Sequence, residues 1–439
     1  MPKSIIILLI SILTFIFLFH FYITRQAVYG DGIYYYAYNH SLVKDHDLNF
    51  RDEFGHHYSP LSNNALQNDP LDESNITKTG MRSNIYPIGA PLFWLIPYAV
   101  LDVIANSIHY FNHSFPNNGY SDLYQIGIGI VNILFIILGL QFLYLFLQNF
   151  FTKRIALLST LLLIAGTNLL YYGSFDVINS HPSSFLVSCF FCFYWWKTRE
   201  KRKFFSWAVL SMLVAVLTMI RTQDIAFFTL LLADLSLKIK NHQLTLTTSL
   251  KIIALILCIF ILSFLPQMIV WNILFGSFWQ SPYSYAENGF HLFQPQILGV
   301  LLNYKTGLVW WTPLLVCSFI GIFLLKKKNK QITYYAIFFP ILELYFIASW
   351  SGWMQGEAFG IRMLIATFPF FAIGTAALLS RFKQNIQYII CVVFFVYNLS
   401  AISYFTLFIH SATYDRGRIT KTQSYNKIEK IFNTIIHVI

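Results

Sequence analysis

Charged side chains are scarce in this chain of 439 residues, where Asp, Glu, Lys and Arg together make up 11%. A soluble globular domain carries about 25% charged residues, so the charges here are too few to coat a surface that faces water. Hydrophobic residue types reach 56% instead, and apolar runs of about 20 residues recur, as helices that cross a bilayer require. The composition predicts an all-α, polytopic bundle of transmembrane helices, because helices satisfy their own backbone hydrogen bonds in lipid.

Cysteine is also rare, with five residues that all lie inside apolar runs. Cys189 and Cys192 form a C-x-x-C pattern in an uncharged run, which is more typical of packing residues than of a redox pair. We therefore expect no disulfide framework. The net charge of +11 could suggest a nucleic-acid partner, but the basic residues lie in short clusters between apolar runs, where they set membrane orientation. We expect no nucleic acid.

The apolar runs predict about eleven full spans within a single transmembrane domain, residues 1–410. A polar tail follows at 411–439. The first run lacks a clear small-residue cleavage site, which favours an uncleaved helix over a signal peptide. The predicted spans are 5–23, 123–148, 155–172, 183–196, 204–220, 225–237, 250–272, 308–325, 332–349, 363–380 and 386–409.

Clusters of lysine and arginine alternate with loops that are poor in both, as at 197–203 and 326–330. The positive-inside rule places such clusters in the cytoplasm, so the opposite loops, including the first loop at 24–86, should face outward. A full crossing by the apolar segment 87–106 would invert this pattern. Its prolines and Asp102 predict a membrane-embedded or interfacial helix instead, unless a shorter crossing is hidden in 107–122.

The first loop holds eight of the chain's 19 acidic residues. Such a long connection is usually functional or disordered. It opens with a glycine turn around Asp31, directly after the first apolar run. A carboxylate at the membrane surface can orient and deprotonate a hydroxyl group. Alternatively, Asp31 only caps a helix that starts near Gly32, and neighbours such as Tyr35 are aromatic residues of the membrane interface.

The stretch YGDGIYYYAYNHSLVKDHDLNF at 29–50, followed by Asp52-Glu53-Phe54, resembles the first outer loop of bacterial GT-C-type glycosyltransferases. This group includes relatives of protein O-mannosyltransferases and lipid A aminoarabinose transferases. Three further elements of one bacterial branch, P-x-G, G-L…P and W…W…G…F-G-x-R, have similar pieces here. They are Tyr86 to Pro91, Gly307 to Pro313, and Trp350 to Arg362, with Gln355 in place of a glycine and Ile361 in place of a proline.

The resemblance implies a GT-C-like fold with short juxtamembrane helices in the first loop. It implies a sugar donor carried on a polyprenyl phosphate, and an extracytoplasmic acceptor that is a cell-envelope glycan, lipid or protein. The catalytic acid of the family falls on Asp31, with Asp45 and Asp47 as lesser candidates. The protein would lie in the bacterial inner (plasma) membrane with its active site facing outward.

Three outward cations, Arg221, Lys305 and Arg362, are candidates to bind the lipid phosphate, because a phosphate leaving group needs its charge neutralised. Arg221 could instead pair with Asp224 or extend to the interface. Asp176 and His181 lie in a short outward loop and could add a second polar wall to the site. Aromatic faces stack on sugars, so Tyr35 and Trp353 are further candidates, although aromatic residues are common at membrane interfaces anyway.

A metal site made of Asp176, His181 and first-loop acids is conceivable, but no regular ligand spacing supports it, so we expect no metal cofactor. The rival functional class is a transporter or lipid flippase without glycosyl transfer. Transporters usually show broken helices or repeats near the midplane, and none is evident here. A cavity at the outer face that holds Asp31 with Arg221, Lys305 or Arg362 would favour the transferase. A path through the bilayer midplane would favour transport.

Overall fold

The computed structural model describes residues 1–57, 73–279, 289–325, 329–356 and 358–409. Within these ranges the chain is almost entirely helical, and β-structure is limited to two isolated bridges. The prediction of an all-α bundle is confirmed. The tail at 411–439 and the loop acids Asp69 and Asp72 lie outside the described residues.

The described α-helices, in chain order, are α1 (Lys3–Thr24), α2 (Asp31–His40), α3 (Arg51–His57), α4 (Gly89–Phe111), α5 (Asp122–Leu147), α6 (Lys153–Ala165), α7 (Leu169–Tyr172), α8 (His181–Thr198), α9 (Phe204–Ile220), α10 (Phe228–Lys240), α11 (Leu246–Phe275), α12 (Ile297–Leu302), α13 (Leu308–Trp311), α14 (Pro313–Phe323), α15 (Lys330–Ser349), α16 (Phe368–Leu379) and α17 (Gln384–Tyr404). Short 3-10 helices occur at Glu73–Asn75, Thr222–Phe227 and Arg362–Thr367, and π-helical turns at Ser41–Asp45 and Phe405–Ile409.

Seven helical segments of the described chain are long and apolar enough to cross a membrane. They contain α1, α4, α5, α11, α15, α16 and α17, and two shorter apolar helices, α9 and α14, accompany them. The chain is an integral, multi-pass membrane protein. Two predicted spans are interrupted: 155–172 divides into α6 and α7 after Gly166, and 308–325 divides into α13 and α14 at Pro313, whose ring cannot donate a helical hydrogen bond.

The apolar segment at 87–106 forms a helix of 23 residues, α4, which extends beyond its predicted end to Phe111. Pro97 lies inside the helix. By length and composition α4 is among the seven segments that could cross a bilayer. Its interfacial placement stays a prediction.

The first loop contains the short helices that the sequence predicts. α2 follows the first long helix after a brief turn, a π-helical turn at Ser41–Asp45 extends it, and α3 lies beyond. α2 packs against α3 and α4, so this part of the loop lies on the bundle. The prediction of short juxtamembrane helices is confirmed.

The centre of the bundle is α5 packed against α8, with α4 and α1 on α5, α9 between α8 and α11, and α16 against α14, α6 and α15. Side-chain burial separates the inner helices from the outer ones. In the segment that contains α16, 83% of the most apolar 18-residue stretch is buried inside the protein. In α11, only 28% of the corresponding stretch is buried. Leucine and isoleucine side chains are exposed along α11, among them Leu250, Leu257 and Ile261. An apolar surface of this kind suits a lipid environment.

Two glycines allow the close approaches that bring the helix ends together. A Cβ atom at Gly32 in α2 would lie 2.2 Å from the carbonyl oxygen of Ile178. A Cβ atom at Gly89 would lie 2.3 Å from the backbone of Met219, near the end of α9. Any larger residue would push these segments apart. The first turns of α2 and α4 therefore lie against the loop before α8 and the end of α9.

Candidate functional site

Asp31 is the first residue of α2 and follows Gly30, whose φ of +52° is unfavourable for other residues. The helix begins one residue earlier than expected, so Asp31 is not its cap. Its Oδ2 lies 2.7 Å from Nη2 of Arg362, and its Oδ1 accepts a hydrogen bond of 2.8 Å from the Tyr86 hydroxyl. The carboxylate is thus directed at two side chains from distant parts of the chain.

A cavity of about 900 Å³ opens beside this carboxylate. Its walls come from helix ends and loops, namely the start of α2, the segments before α4 and α8, the end of α9, and the region between α15 and α16. Five of the candidate residues line it: Asp31, Tyr35, Asp176, Arg221 and Arg362. The cavity therefore gathers two acidic and two basic side chains at one end of the bundle.

Arg362 begins the 3-10 helix at Arg362–Thr367, two residues after Gly360, whose φ is +63°. In the ion pair the Arg362 and Asp31 side chains are 16% and 22% exposed. The pair is thus partly buried but keeps a side open to the cavity. Arg362 is therefore the counter-ion of Asp31, and the phosphate contact expected from the sequence stays a prediction.

Arg221 follows the last residue of α9, and its Nη1 donates a hydrogen bond of 3.1 Å to Ser180 Oγ. The same nitrogen lies 3.4 Å from Nδ1 of His181, the first residue of α8. Its buried Nε has no hydrogen-bond partner. The alternative in which Arg221 pairs with Asp224 is wrong, because no ion pair within 4.0 Å joins these two described residues. Asp224 accepts from Ser184 Oγ at 3.0 Å instead.

Asp176 lies on the cavity wall in the loop before α8 and is only partly exposed. The pKa of Asp176 is raised from its ordinary value of 3.8 to about 7, and desolvation is the largest cause. The hydrogen bond with Asn179 and the Arg362 charge lower this pKa, whereas the Asp31 charge raises it. Protonated and ionised forms of this carboxyl group therefore coexist near neutral pH.

Three candidates of the sequence analysis do not line the cavity: His181, Lys305 and Trp353. Lys305 is exposed, with its Nζ 5.9 Å from the ring centroid of its neighbour Tyr304. The Trp353 ring packs against Gly299 in α12, where a Cβ atom would lie 2.6 Å from the ring. Trp350, from the same sequence element as Trp353, lines the cavity in its place.

Other residues of the site were not predicted. Tyr86 donates to Asp31, and its pKa is raised well above the ordinary value of 10 by burial and by the Asp31 charge, so it stays a hydrogen-bond donor. Gln223 Nε2 donates to the Met363 carbonyl at 2.8 Å and ties the segment after α9 to the Arg362 helix. The signals were their positions, since Tyr86 precedes the P-x-G element and Gln223 follows Arg221 by two residues.

Gln355 stands where the resemblance led us to expect a glycine, and its backbone explains that expectation. Its φ is +56°, a left-handed conformation that is rare for residues other than glycine. The Gln355 side-chain oxygen faces the backbone N–H of Met363 at 3.4 Å. A glycine would adopt this turn without strain, whereas glutamine adds a side chain to the cavity wall.

Comparison with solved structures identifies the architecture. The apo structure of ArnT from Cupriavidus metallidurans matches with a TM-score of 0.53 at 11% identity, over 92% of this chain and 64% of that chain. The chain has a GT-C-type fold. The same ArnT bound to undecaprenyl phosphate matches with a TM-score of 0.53 at 11% identity, over 93% and 65%. This GT-C-type chain therefore spans less than two thirds of the ArnT chains.

An archaeal oligosaccharyltransferase, AglB from Archaeoglobus fulgidus in complex with an inhibitory peptide and a dolichol-phosphate, matches with a TM-score of 0.45 at 11% identity. This match covers 91% of the present chain and 55% of the AglB chain. No family model and no curated protein sequence matches the chain.

Three of the four sequence elements that suggested the GT-C-type fold border the cavity, and the stretch at 29–50 contributes Asp31 and Tyr35. Pro87 of the P-x-G element and the preceding Tyr86 also line the cavity, as do Trp350, Phe359 and Arg362 of the tryptophan-rich element. The G-L…P element forms the junction between α13 and α14 and does not line the cavity.

Proposed function

We propose that this chain is a membrane glycosyltransferase that moves a sugar from a polyprenyl-phosphate-linked donor to an acceptor on the extracytoplasmic side. The acceptor would be a cell-envelope glycan, lipid or protein, and the membrane a bacterial plasma membrane. The observation that carries the proposal is that Asp31, Arg362 and Arg221 line one cavity. Within it, Arg362 forms an ion pair with Asp31. This set combines a carboxylate for the acceptor with a cation for the donor phosphate.

In the proposed reaction, Asp31 orients the acceptor hydroxyl and receives its proton as the oxygen attacks the anomeric carbon of the sugar. The bond from that carbon to the phosphate oxygen breaks, and the polyprenyl phosphate departs. Each carboxylate oxygen has two lone-pair positions, so Asp31 can bind the acceptor while it retains Arg362 and Tyr86. A single displacement inverts the anomeric centre.

Arg221 is the best candidate for the leaving phosphate. Its side chain lines the cavity, and the hydrogen bond to Ser180 engages only its Nη1. Arginine suits phosphate because its planar fork can donate two parallel hydrogen bonds. Arg362 faces the same cavity and can share the developing negative charge while it remains paired with Asp31.

A lipid-linked donor also fits the position of the cavity. Its lining residues come from helix ends and adjoining loops, where a phosphate at the bilayer surface would lie while its tail runs along apolar helices. The basic residues at 199–203 lie at the other end of α8. The positive-inside rule therefore favours an extracytoplasmic cavity. A transporter would need a path along the whole length of the bundle, whereas the residues that line this cavity lie at one end of it.

The test is a comparison of cell-envelope glycans with and without the gene. Loss of one defined sugar, restored by the wild-type gene and not by Asp31→Asn at equal protein level, is the expected result. Full restoration by Asp31→Asn would refute the catalytic role of this carboxylate. Unchanged glycans, together with movement of a lipid-linked sugar across vesicles that contain the purified protein, would favour the transporter.

A further inference from the structure

A second polar cluster lies in the first loop, apart from the cavity. It consists of His40 at the end of α2, Asp45 at the end of the π-helical turn, and Glu53 in α3. His40 Nδ1 lies 3.1 Å from Asp45 Oδ2 and 3.1 Å from Glu53 Oε1. One ligand atom from each residue falls within 4.8 Å of the others. Two carboxylates thus converge on a single imidazole nitrogen.

The contact of the second ring nitrogen, Nε2, determines which nitrogen carries the hydrogen in the neutral imidazole. His40 Nε2 lies 3.2 Å from the carbonyl oxygen of Asn118, and a carbonyl oxygen can only accept. Nε2 must therefore donate, which leaves the lone pair of Nδ1 directed at the two carboxylates. Metal-binding histidines show the same arrangement, in which the second ring N–H donates to a backbone carbonyl and orients the ligand.

Glu53 adds an independent observation. Its side chain is fully buried, and its second oxygen, Oε2, has no hydrogen-bond partner. A proton on His40 Nδ1 would supply one positive charge against two carboxylates and would leave Oε2 without a partner. A buried carboxylate oxygen with no partner is costly. A divalent cation balances both carboxylates and can also take Oε2 as a ligand.

The surroundings hold the imidazole in one orientation. The Tyr120 ring stacks on His40 with a centroid distance of 4.2 Å and an angle of 15°. Gly119, with a φ of +79°, passes so close that a Cβ atom there would lie 2.6 Å from His40 Cδ2. The ring is therefore packed between the end of α2 and the loop before α5. A ligand held this rigidly loses little entropy when it binds an ion.

We propose that His40, Asp45 and Glu53 bind a divalent transition-metal ion of the zinc class. One imidazole and two carboxylates are ligand types that zinc accepts, and zinc sites with three protein ligands complete their coordination with water. Asp45 is exposed and leaves the cluster open to solvent on that side. The sequence analysis missed this site because the spacing of the three residues does not show that they face one another.

The position of the cluster indicates a structural role. His40 and Asp31 lie nine positions apart in α2, which corresponds to roughly 14 Å along the helix axis. The ion would link α2, the π-helical turn and α3, and so hold the far end of the helix that presents Asp31. Its binding is independent of glycosyl transfer and can be measured without a substrate.

The test uses the full-length chain purified in detergent without a polyhistidine tag and stripped of metal with a chelator. After incubation with Zn²⁺ and dialysis, we expect one zinc per chain by mass spectrometry and a higher melting temperature. His46→Gln is the matched control, because His46 is exposed and contacts only the Leu42 carbonyl, at 3.3 Å, among the described residues. It should retain zinc, whereas His40→Gln and Glu53→Gln should each retain less than about a tenth.

A wild-type chain that retains no zinc, or a His40→Gln chain that retains as much as the wild type, would overturn the proposal. Because the His40 variant could fail to fold, Co²⁺ added to the wild-type chain gives a second readout. Intense visible ligand-field absorption that Zn²⁺ displaces is expected. The weak spectrum of the hydrated ion alone would also overturn the proposal.

Discussion

Two arginine–aspartate pairs lie at opposite ends of the bundle, and their surroundings differ. Arg362 and Asp31 meet at 2.7 Å beside the cavity, with Tyr86 as a further donor to the carboxylate. Arg202 and Asp234 meet at 2.8 Å, and their side chains are 0% and 4% exposed. α8, of 18 residues, runs between the two ends, a distance of about 27 Å.

The Arg202–Asp234 pair is closed, in the sense that neighbouring groups form hydrogen bonds with both of its members. Asp234 also accepts hydrogen bonds from Trp195 Nε1 at 2.8 Å and from the Tyr335 hydroxyl at 2.6 Å. Arg202 donates to the Trp195 carbonyl at 2.7 Å and lies over the Trp207 ring. Both carboxylate oxygens are satisfied, and neither residue of this pair lines the cavity beside Asp31. The pair at Asp31 has fewer partners and open space, which distinguishes a candidate site from a structural contact.

The largest expected effect is on activity at the open pair. Asp31→Asn removes the proton acceptor but keeps the shape of the side chain, so transfer should fall by about 10²- to 10⁴-fold, the usual contribution of a general base. Protein yield and melting temperature should change little. The measurement is the rate of sugar transfer at equal protein level. A rate within threefold of the wild type would contradict the distinction drawn between the two pairs.

At the closed pair, Asp234→Asn should act on stability. The change leaves the buried Arg202 charge uncompensated, and breaking a buried pair in this way costs about 3–5 kcal/mol. We expect a lower denaturation midpoint in detergent, with an unchanged transfer rate per folded molecule. If the Asp234→Asn protein were as stable as the wild type but inactive, the Asp234–Arg202 pair would have the functional role that is proposed for Asp31 and Arg362.

Arg221→Gln should weaken donor binding. Loss of a hydrogen bond to a charged group costs about 1.5–3 kcal/mol, so the affinity for undecaprenyl phosphate should fall by about 10- to 100-fold. Lys305→Gln is the matched control, since Lys305 is exposed and does not line the cavity. It should bind within twofold of the wild type. If Lys305→Gln weakened binding and Arg221→Gln did not, Lys305 and not Arg221 would be the residue that binds the donor phosphate.

The smallest expected effect is the pH dependence caused by Asp176. Its pKa in the folded chain, about 7, lies above the ordinary value of 3.8, so the folded state binds more protons than the unfolded state between these values. Stability therefore falls as pH rises, by about 1.4 kcal/mol between pH 6 and pH 8. Asp176→Asn cannot ionise and should lack this loss. Parallel stability curves for the two proteins would contradict the raised pKa.

Helix positions were largely predictable, because the length of an apolar run is a local property. The runs at 123–148 and 204–220 correspond closely to Asp122–Leu147 and Phe204–Ile220. The division of 155–172 was missed, because the break at Gly166-Thr167-Asn168 is short and has apolar residues on both sides, so the two pieces were predicted as one span. Arg221 and Arg362 were selected as candidate residues from their charge near helix ends, where an ionic group is costly unless it has a function or a partner. Asp31 was assigned as the catalytic acid from the resemblance.

The contacts among those residues were not predictable. No local pattern shows that Arg362 pairs with Asp31, that Arg221 donates to Ser180, or that Lys305 does not line the cavity. These outcomes depend on close helix approaches such as those at Gly32 and Gly89. The His40 cluster was invisible for the same reason, because a turn and a loop must fold together before its three side chains face one another.

By itself the sequence determined that this protein is a helical bundle for lipid, because low charge and long apolar runs leave no other way to satisfy the backbone. It also determined which ionic residues stand at the helix ends. Only the tertiary structure decided which of them meet, since an ion pair forms across distances of a few ångströms that are set by packing between distant segments. That packing separates the open carboxylate at Asp31 from the closed one at Asp234.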